Sequence, residues 1–168
     1  MKQVIVTLYQ YDELSESSQQ TALKYFSDIN VHYPWYDFTY EDAINIGLKI
    51  TSHDLYHHDI EGKLTLDIED SIEKILSTHG KICDTYKLAL DYKDHLTEIQ
   101  NRMSYASESK LIALEKAVEE LTTEYEHNLL EEYLLMLRRE YAYLTSQEAI
   151  EETIRANEYD FTKEGKLF

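Results

Sequence analysis

Apolar positions recur every second residue in the first third of the chain and every third or fourth residue after about residue 69. Val4, Val6 and Leu8 alternate with Gln3, Ile5, Thr7 and Tyr9, which predicts a mostly buried first strand and not a signal peptide. Ser15 is placed to cap a helix whose Ala22, Phe26 and Ile29 keep one face apolar, with Glu16 at the positive end of the dipole. Pro34 suits the first turn of a second helix, from Trp35 to about Ile46, and Gly47 suits its end. Two strand-like runs follow, Leu48 to Tyr56 and Lys63 to Ile68, and the second alternates through Leu64, Leu66 and Ile68. The HHDIEG between them ends in glycine and reads as a hairpin loop.

From Glu69 onward the period is helical. Ile72, Ile75 and Leu76 form a short apolar face stopped by Gly80. Leu88, Tyr92, Leu96, Ile99 and Met103 predict a longer helix from about Asp84, and Ser104 to Ser109 a polar turn. Leu111, Leu114, Val118, Leu121 and Tyr125 then keep a heptad spacing that fails at Asn128 and Glu132. It resumes, shifted by four residues, as Leu129, Tyr133, Leu137, Tyr141 and Leu144. Such a stutter turns the packing stripe to a new direction. Thr145 with Glu148 has capping-box spacing before a last helix, Ser146 to Ala156. The tail from Tyr159 to Phe168 fits a small hairpin around Lys163-Glu164-Gly165, or a last strand joining the sheet.

Length limits how these pieces combine. A helix over residues 108–143 is about 54 Å long at 1.5 Å per residue. A globule of 168 residues has a diameter of only about 40 Å. The expected architecture is therefore α+β: a small, mainly antiparallel sheet packed with helices, plus a long helical hairpin. Residues 1–168 form a single domain in this reading, with residues 84–130 protruding as that hairpin and the later half of the long helix lying on the sheet. The alternative is an ordinary bent helix in a globular bundle.

Composition adds a sign to this picture. Asp and Glu outnumber Lys and Arg 33 to 16, for a formal charge of -17, and there are 15 tyrosines. Residues 108–152 carry -8 of that charge, 53–99 carry -6 and 1–52 carry -4, whereas 100–107 carry +1 and 153–168 are neutral. Such a chain repels nucleic acid and anionic membranes and attracts basic proteins. Duplex DNA carries a charge per 1.7 Å, so seventeen charges correspond to about 29 Å of duplex. A helix bearing Glu115, Glu119, Glu120, Glu124, Glu126, Glu131 and Glu132 has the sign needed to occupy a DNA-binding cleft. Tyr33, Trp35 and Tyr36, with Phe38 and Tyr40, crowd one segment that core packing explains in part, leaving an aromatic contact face for the remainder. The lone Cys83 excludes an internal disulfide and fits a reducing cytoplasm.

Catalytic chemistry finds little purchase. His53, His57 and Asp59 are the best metal candidates, yet His53 and His57 on an extended strand lie about 13 Å apart, too far for one ion without a turn at Tyr56. The many carboxylate pairs sit at wet helix positions, where neither member is shielded enough to hold a proton. No phosphate loop or nucleophile elbow is present. No cofactor is expected.

Three segments together, YQYDELSESSQQTAL, YEDAINIGLKIT and EYAYLTSQEAIEETIRANEYDFTKEGKLF, resemble a group of small acidic phage and prophage proteins, some described as antitoxins of toxin–antitoxin systems. The resemblance implies a mobile-element origin and a host-cytoplasmic setting, and brings no catalytic residues with it. Small acidic phage proteins of this kind include inhibitors of host defence, of anti-CRISPR and anti-restriction type. The expected function is thus a non-enzymatic inhibitor of a basic, nucleic-acid-binding host defence protein, with acidic DNA mimicry as its means. An antitoxin for one cognate toxin and a small metal-dependent hydrolase using His53, His57 and Asp59 are the alternatives, and the heptad stripe also fits a homodimer.

Overall fold

The computed structural model describes residues 5–168, which form two compact units. One is built from residues 5–35 together with Arg139–Phe168, and the other is the contiguous segment Tyr36–Arg138.

The first unit is held by short helices around aromatic rings. Helix α1, Glu16–Tyr25, starts at Ser15, whose hydroxyl accepts from the Ser18 amide. Ala22, Leu23 and Phe26 are buried from it against Ile150 and Ile154, with Phe161 and Tyr11 completing the core. Phe26 stacks on Tyr159 at 4.8 Å and meets Phe161 edge-on at 6.2 Å. The helix carrying Ile150 and Ile154, α6, spans Gln147–Ala156; its cap is Ser146, which accepts from the Ala149 amide. Thr145 instead donates its hydroxyl to the Tyr141 carbonyl, so the cap falls one residue later than the Thr145–Glu148 spacing predicts. Buried Asn30 donates to the Leu144 carbonyl and accepts from the Thr153 hydroxyl, so burial leaves neither end of its amide unpaired.

The tail takes the hairpin alternative. Gly165 turns it at φ +78°, and Phe161 bridges Leu167 on one side and Tyr9 on the other. The expected first strand is not formed over residues 5–8: Ile5 and Val6 are exposed, and only Tyr9 makes a bridge. The part of that run at residues 3 and 4 lies outside the described residues.

The second unit opens with α2, Asp37–Asn45, which begins two residues later than Pro34 suggests and ends at Gly47, φ +82°. The antiparallel pair β1, Leu48–Asp54, and β2, Asp59–Leu64, follows. The hairpin exists, but its turn is Leu55–His58, and the DIEG of the expected loop is inside β2. Gly62 is there because a Cβ would lie 2.7 Å from the Lys49 carbonyl oxygen and 2.8 Å from Leu130 Cδ2. The register slips beside it, with Thr51 as the extra residue between Ile50 and Ser52. Ile68, expected at the end of a strand, is instead the first residue of α3, Ile68–Thr78.

Helix α4, Asp84–Met103, and the single continuous helix α5, Glu108–Leu144, form the expected antiparallel hairpin. Tyr92 of α4 meets Tyr125 of α5 at 5.2 Å, and Asn128 donates to the Tyr92 hydroxyl at 2.7 Å. The polar residue that interrupts the heptad is therefore still turned toward α4. From Leu121 onward the buried residues Leu121, Tyr125, Leu129, Tyr133 and Leu137 are each four apart. Each step advances about 40° beyond a full turn, so the stripe winds about 160° round the helix. This lets one helix serve α4 at Tyr125 and the sheet at Leu130. The core includes Ile46, Leu48, Ile72, Ile75 and Leu96, with Leu129 and Tyr133 fully buried. No helix among the described residues is long and apolar enough to cross a membrane.

Two polar contacts complete this core. The Tyr133 hydroxyl donates to Asp42 of α2 at 2.7 Å, and that of Tyr125 lies 3.2 Å from the buried Ser71 hydroxyl of α3. His79, with Nε2 3.5 Å from the Asp42 carboxylate, and the Tyr133 hydroxyl together hold Asp42 below the usual carboxylate range. Burial pushes Tyr125 up to about 12 and Tyr133 upward as well.

Replacing Gly165 with alanine should destabilise the first unit by more than about 1 kcal/mol, because the added Cβ overlaps the Ser18 carbonyl and the backbone is left-handed. Gly80→Ala, with only Cys83 Sγ at 3.7 Å, should be nearly neutral; urea midpoints compare the two. Tyr133→Phe removes a hydrogen bond to a half-exposed carboxylate and should cost about 1.5 kcal/mol at neutral pH. Asp42 is depressed in the fold, so its stabilisation is complete above the ordinary value of 3.8 and is lost as pH falls through the lower folded value. The gap between Tyr133→Phe and the parent should close over that acid range in urea titrations.

Candidate protein-binding surface

Seven glutamates follow one another along α5, and helical geometry decides what they can present. At 100° per residue Glu115, Glu119 and Glu126 fall within about 40° of one another, and Glu120, Glu124 and Glu131 fall within another sector about 140° away. Glu132 stands apart from both. The carboxylates therefore form two flanks and not one face. Glu115, Glu119, Glu120, Glu124 and Glu131 are exposed, whereas Glu126 and Glu132 are half-buried.

Two of the seven are already engaged. Glu126 accepts from the Leu64 amide at 2.6 Å and so holds the end of β2 to α5. Glu120 pairs with Lys116 one turn earlier, N to O 3.0 Å, with both side chains well exposed. A solvated i,i+4 pair of this kind contributes only about 0.3–0.5 kcal/mol and gives way readily to a competing cation.

The aromatic residues separate in the structure. Trp35 is only 8% exposed and packs on Tyr141 at 5.6 Å, so it is a core residue of the first unit and not a contact residue. Tyr33 is exposed. Tyr36, in the other unit, is half-buried and stands edge-on to His53 at 5.2 Å. The exposed apolar residues of this region are instead Phe38 (81%) and Ile44 on the outer side of α2. The signal for them was in the sequence: both lie away from the Thr39–Ala43 stripe that α2 buries.

The histidines do different things. His53 Nδ1 is 2.8 Å from the Tyr40 hydroxyl, and burial lowers its pKa, which favours the neutral ring. His57 lies in the exposed turn, Nδ1 2.7 Å from Asp54. Hydrogen bonds from the His57 ring and amide, and from the Tyr56 amide, hold Asp54 down at about 2. Asp59 pairs across the ladder with Asp54. His53, His57 and Asp59 are thus not gathered into one ligand set, and among the described residues no three or more His, Cys, Asp or Glu are placed to hold a metal ion. Exposed Cys83 is the residue that precedes α4.

A chain of polar side chains that the sequence did not announce runs from Tyr133 through Asp42 and His79 to Thr85, with His79 Nδ1 2.7 Å from the Thr85 hydroxyl. Thr85 is buried at the start of α4, so this order of hydroxyl, imidazole and carboxylate joins helices and presents no nucleophile to solvent.

Glu126→Ala should destabilise the protein by about 1–3 kcal/mol, since it strands a part-buried amide. Glu119→Ala, at an exposed site, should stay within about 0.5 kcal/mol of the parent in the same denaturant titration.

No protein-family model, curated protein or solved structure matches this chain.

Proposed function

We propose that this protein is a non-enzymatic inhibitor that binds a basic, nucleic-acid-handling host defence protein through the glutamates of α5, and that it works in the host cytoplasm. The observation that carries this reading is the exposure of Glu115, Glu119, Glu120, Glu124 and Glu131 on a helix held rigid by its buried stripe. The five exposed carboxylates from Glu115 to Glu131 span about 24 Å, about one per 5 Å, which is sparser than the one charge per 3.4 Å of a single DNA strand and well below the density of a duplex. The nearer likeness is to one phosphate backbone. Two flanks suit a cleft that grips the helix from both sides better than a flat basic patch. In the same unit, the exposed Phe38 and Ile44 add apolar area of the kind that anchors protein interfaces.

The resemblance to small acidic phage proteins agrees with this reading. An antitoxin would meet a basic toxin by the same complementarity, and the identity of the partner separates the two.

Capture from host lysate should retain a basic protein at about 50 mM salt and release it by about 500 mM, because exposed charge pairs are screened over a few ångströms at the higher concentration. A variant with Glu115, Glu119, Glu124 and Glu131 all changed to Gln should keep its helical circular dichroism and lose the partner at least tenfold. Equal retention by both chains, or retention indifferent to salt, would sink the proposal.

A further inference from the structure

Beyond Leu96 and Leu121 the hairpin helices leave a groove of about 820 Å³ between them. Arg102 and Tyr105 border it from the α4 side, and Lys110, Ala113, Leu114 and Ala117 from α5. Tyr105, which lines the groove, is 94% exposed. Apolar area left open beside an interhelical groove is a partner's place.

Charge decides which partner. Residues 98–117 contain Glu98, Arg102, Glu108, Lys110, Glu115 and Lys116, and so carry no net charge, in a chain of -17. A second copy is repelled by the acidic stretches elsewhere in the sequence; here it is not. A two-fold contact also requires a patch complementary to itself, with both signs present on the same surface. The groove meets that requirement, since Glu98, Arg102 and Lys110 all line it. The short side chains of Ala113 and Ala117 give a helix from outside room to approach.

We infer that this end of the α4–α5 hairpin is a self-association surface, on which a second copy of the chain seats its own α4–α5 end to make a four-helix contact. The contact is apolar and locally neutral, and long-range repulsion between two acidic chains opposes it. Salt therefore strengthens it, the opposite of its effect on an acidic surface binding a basic partner.

Sedimentation equilibrium of the full chain from about 1 to about 200 µM should show a monomer–dimer equilibrium whose dissociation constant falls on going from about 0.1 to about 0.5 M NaCl. Ala113→Glu puts a charge into the groove with little effect on helix formation and should weaken dimerisation at least tenfold. Ile44→Glu, an equally exposed-surface change on α2, should leave it unaltered. In a Cys83→Ser background, Ser109→Cys should give a chain pair linked by a disulfide or a short bismaleimide, which reads the contact without disturbing the groove. A parent chain that stays monomeric across the range, leaving the groove to some other segment, overturns the inference. So does a dimer that Ala113→Glu leaves intact while Ser109→Cys fails to link. Partner capture is a separate readout, so either result leaves the acidic-surface reading to its own test.

Discussion

Two phenol rings on α5, Tyr125 and Tyr133, are wholly buried, and a buried hydroxyl without a partner is costly. Ser71 and Asp42 answer them from α3 and α2. Leucines allow a helix to slide or turn against its neighbours at small cost, because dispersion contacts are plentiful and non-directional. The two hydroxyls do not. His79 and Thr85 extend the Asp42 contact to the end of α3 and the start of α4, so two sets of polar contacts together touch every helix in the Tyr36–Arg138 unit.

The long helix succeeds because its sequence changes spacing. Before Tyr125 a three-four spacing keeps the stripe toward α4; after it a spacing of four carries the stripe round to the sheet. Asn128 marks the changeover and remains paired, with the Tyr92 hydroxyl. The glutamates occupy what the winding stripe leaves uncovered, which is why they come as two flanks. Glu126 falls between burial and exposure and is spent on β2.

Much of this was legible in the residues. Ser15 and the helix after it, the stop at Gly80, the Asp84 start and the stutter all follow from local chemistry: caps, glycine and period. The failures share a different cause. Gly62 reads as a turn signal, yet it is a strand residue at which Leu130 and the Lys49 carbonyl approach too closely for a Cβ. Ile5 to Leu8 alternates as a strand does, but alternation supplies no partner, and of this stretch only the following Tyr9 makes a bridge. Trp35 sits among aromatic residues that are partly exposed and is itself packed on Tyr141, more than a hundred residues away. In each case the deciding neighbour is remote in sequence. The run of glutamates on α5 was visible in the residues, while their division into flanks needed the continuous helix to be known.

The order in which the two units appear during synthesis differs from the order of their residues. Tyr36–Arg138 is contiguous, so its core is fully encoded before Arg139–Phe168 leave the ribosome. The other unit is not: Tyr11, Leu23 and Phe26 emerge first and then wait for Ile150, Ile154 and Phe161. Domains fold as units when their chain is complete. The earlier stretch of this unit is thus made before the intervening unit, yet finds its core after it, and throughout that interval its aromatic side chains are open to chaperones, proteases or another nascent chain.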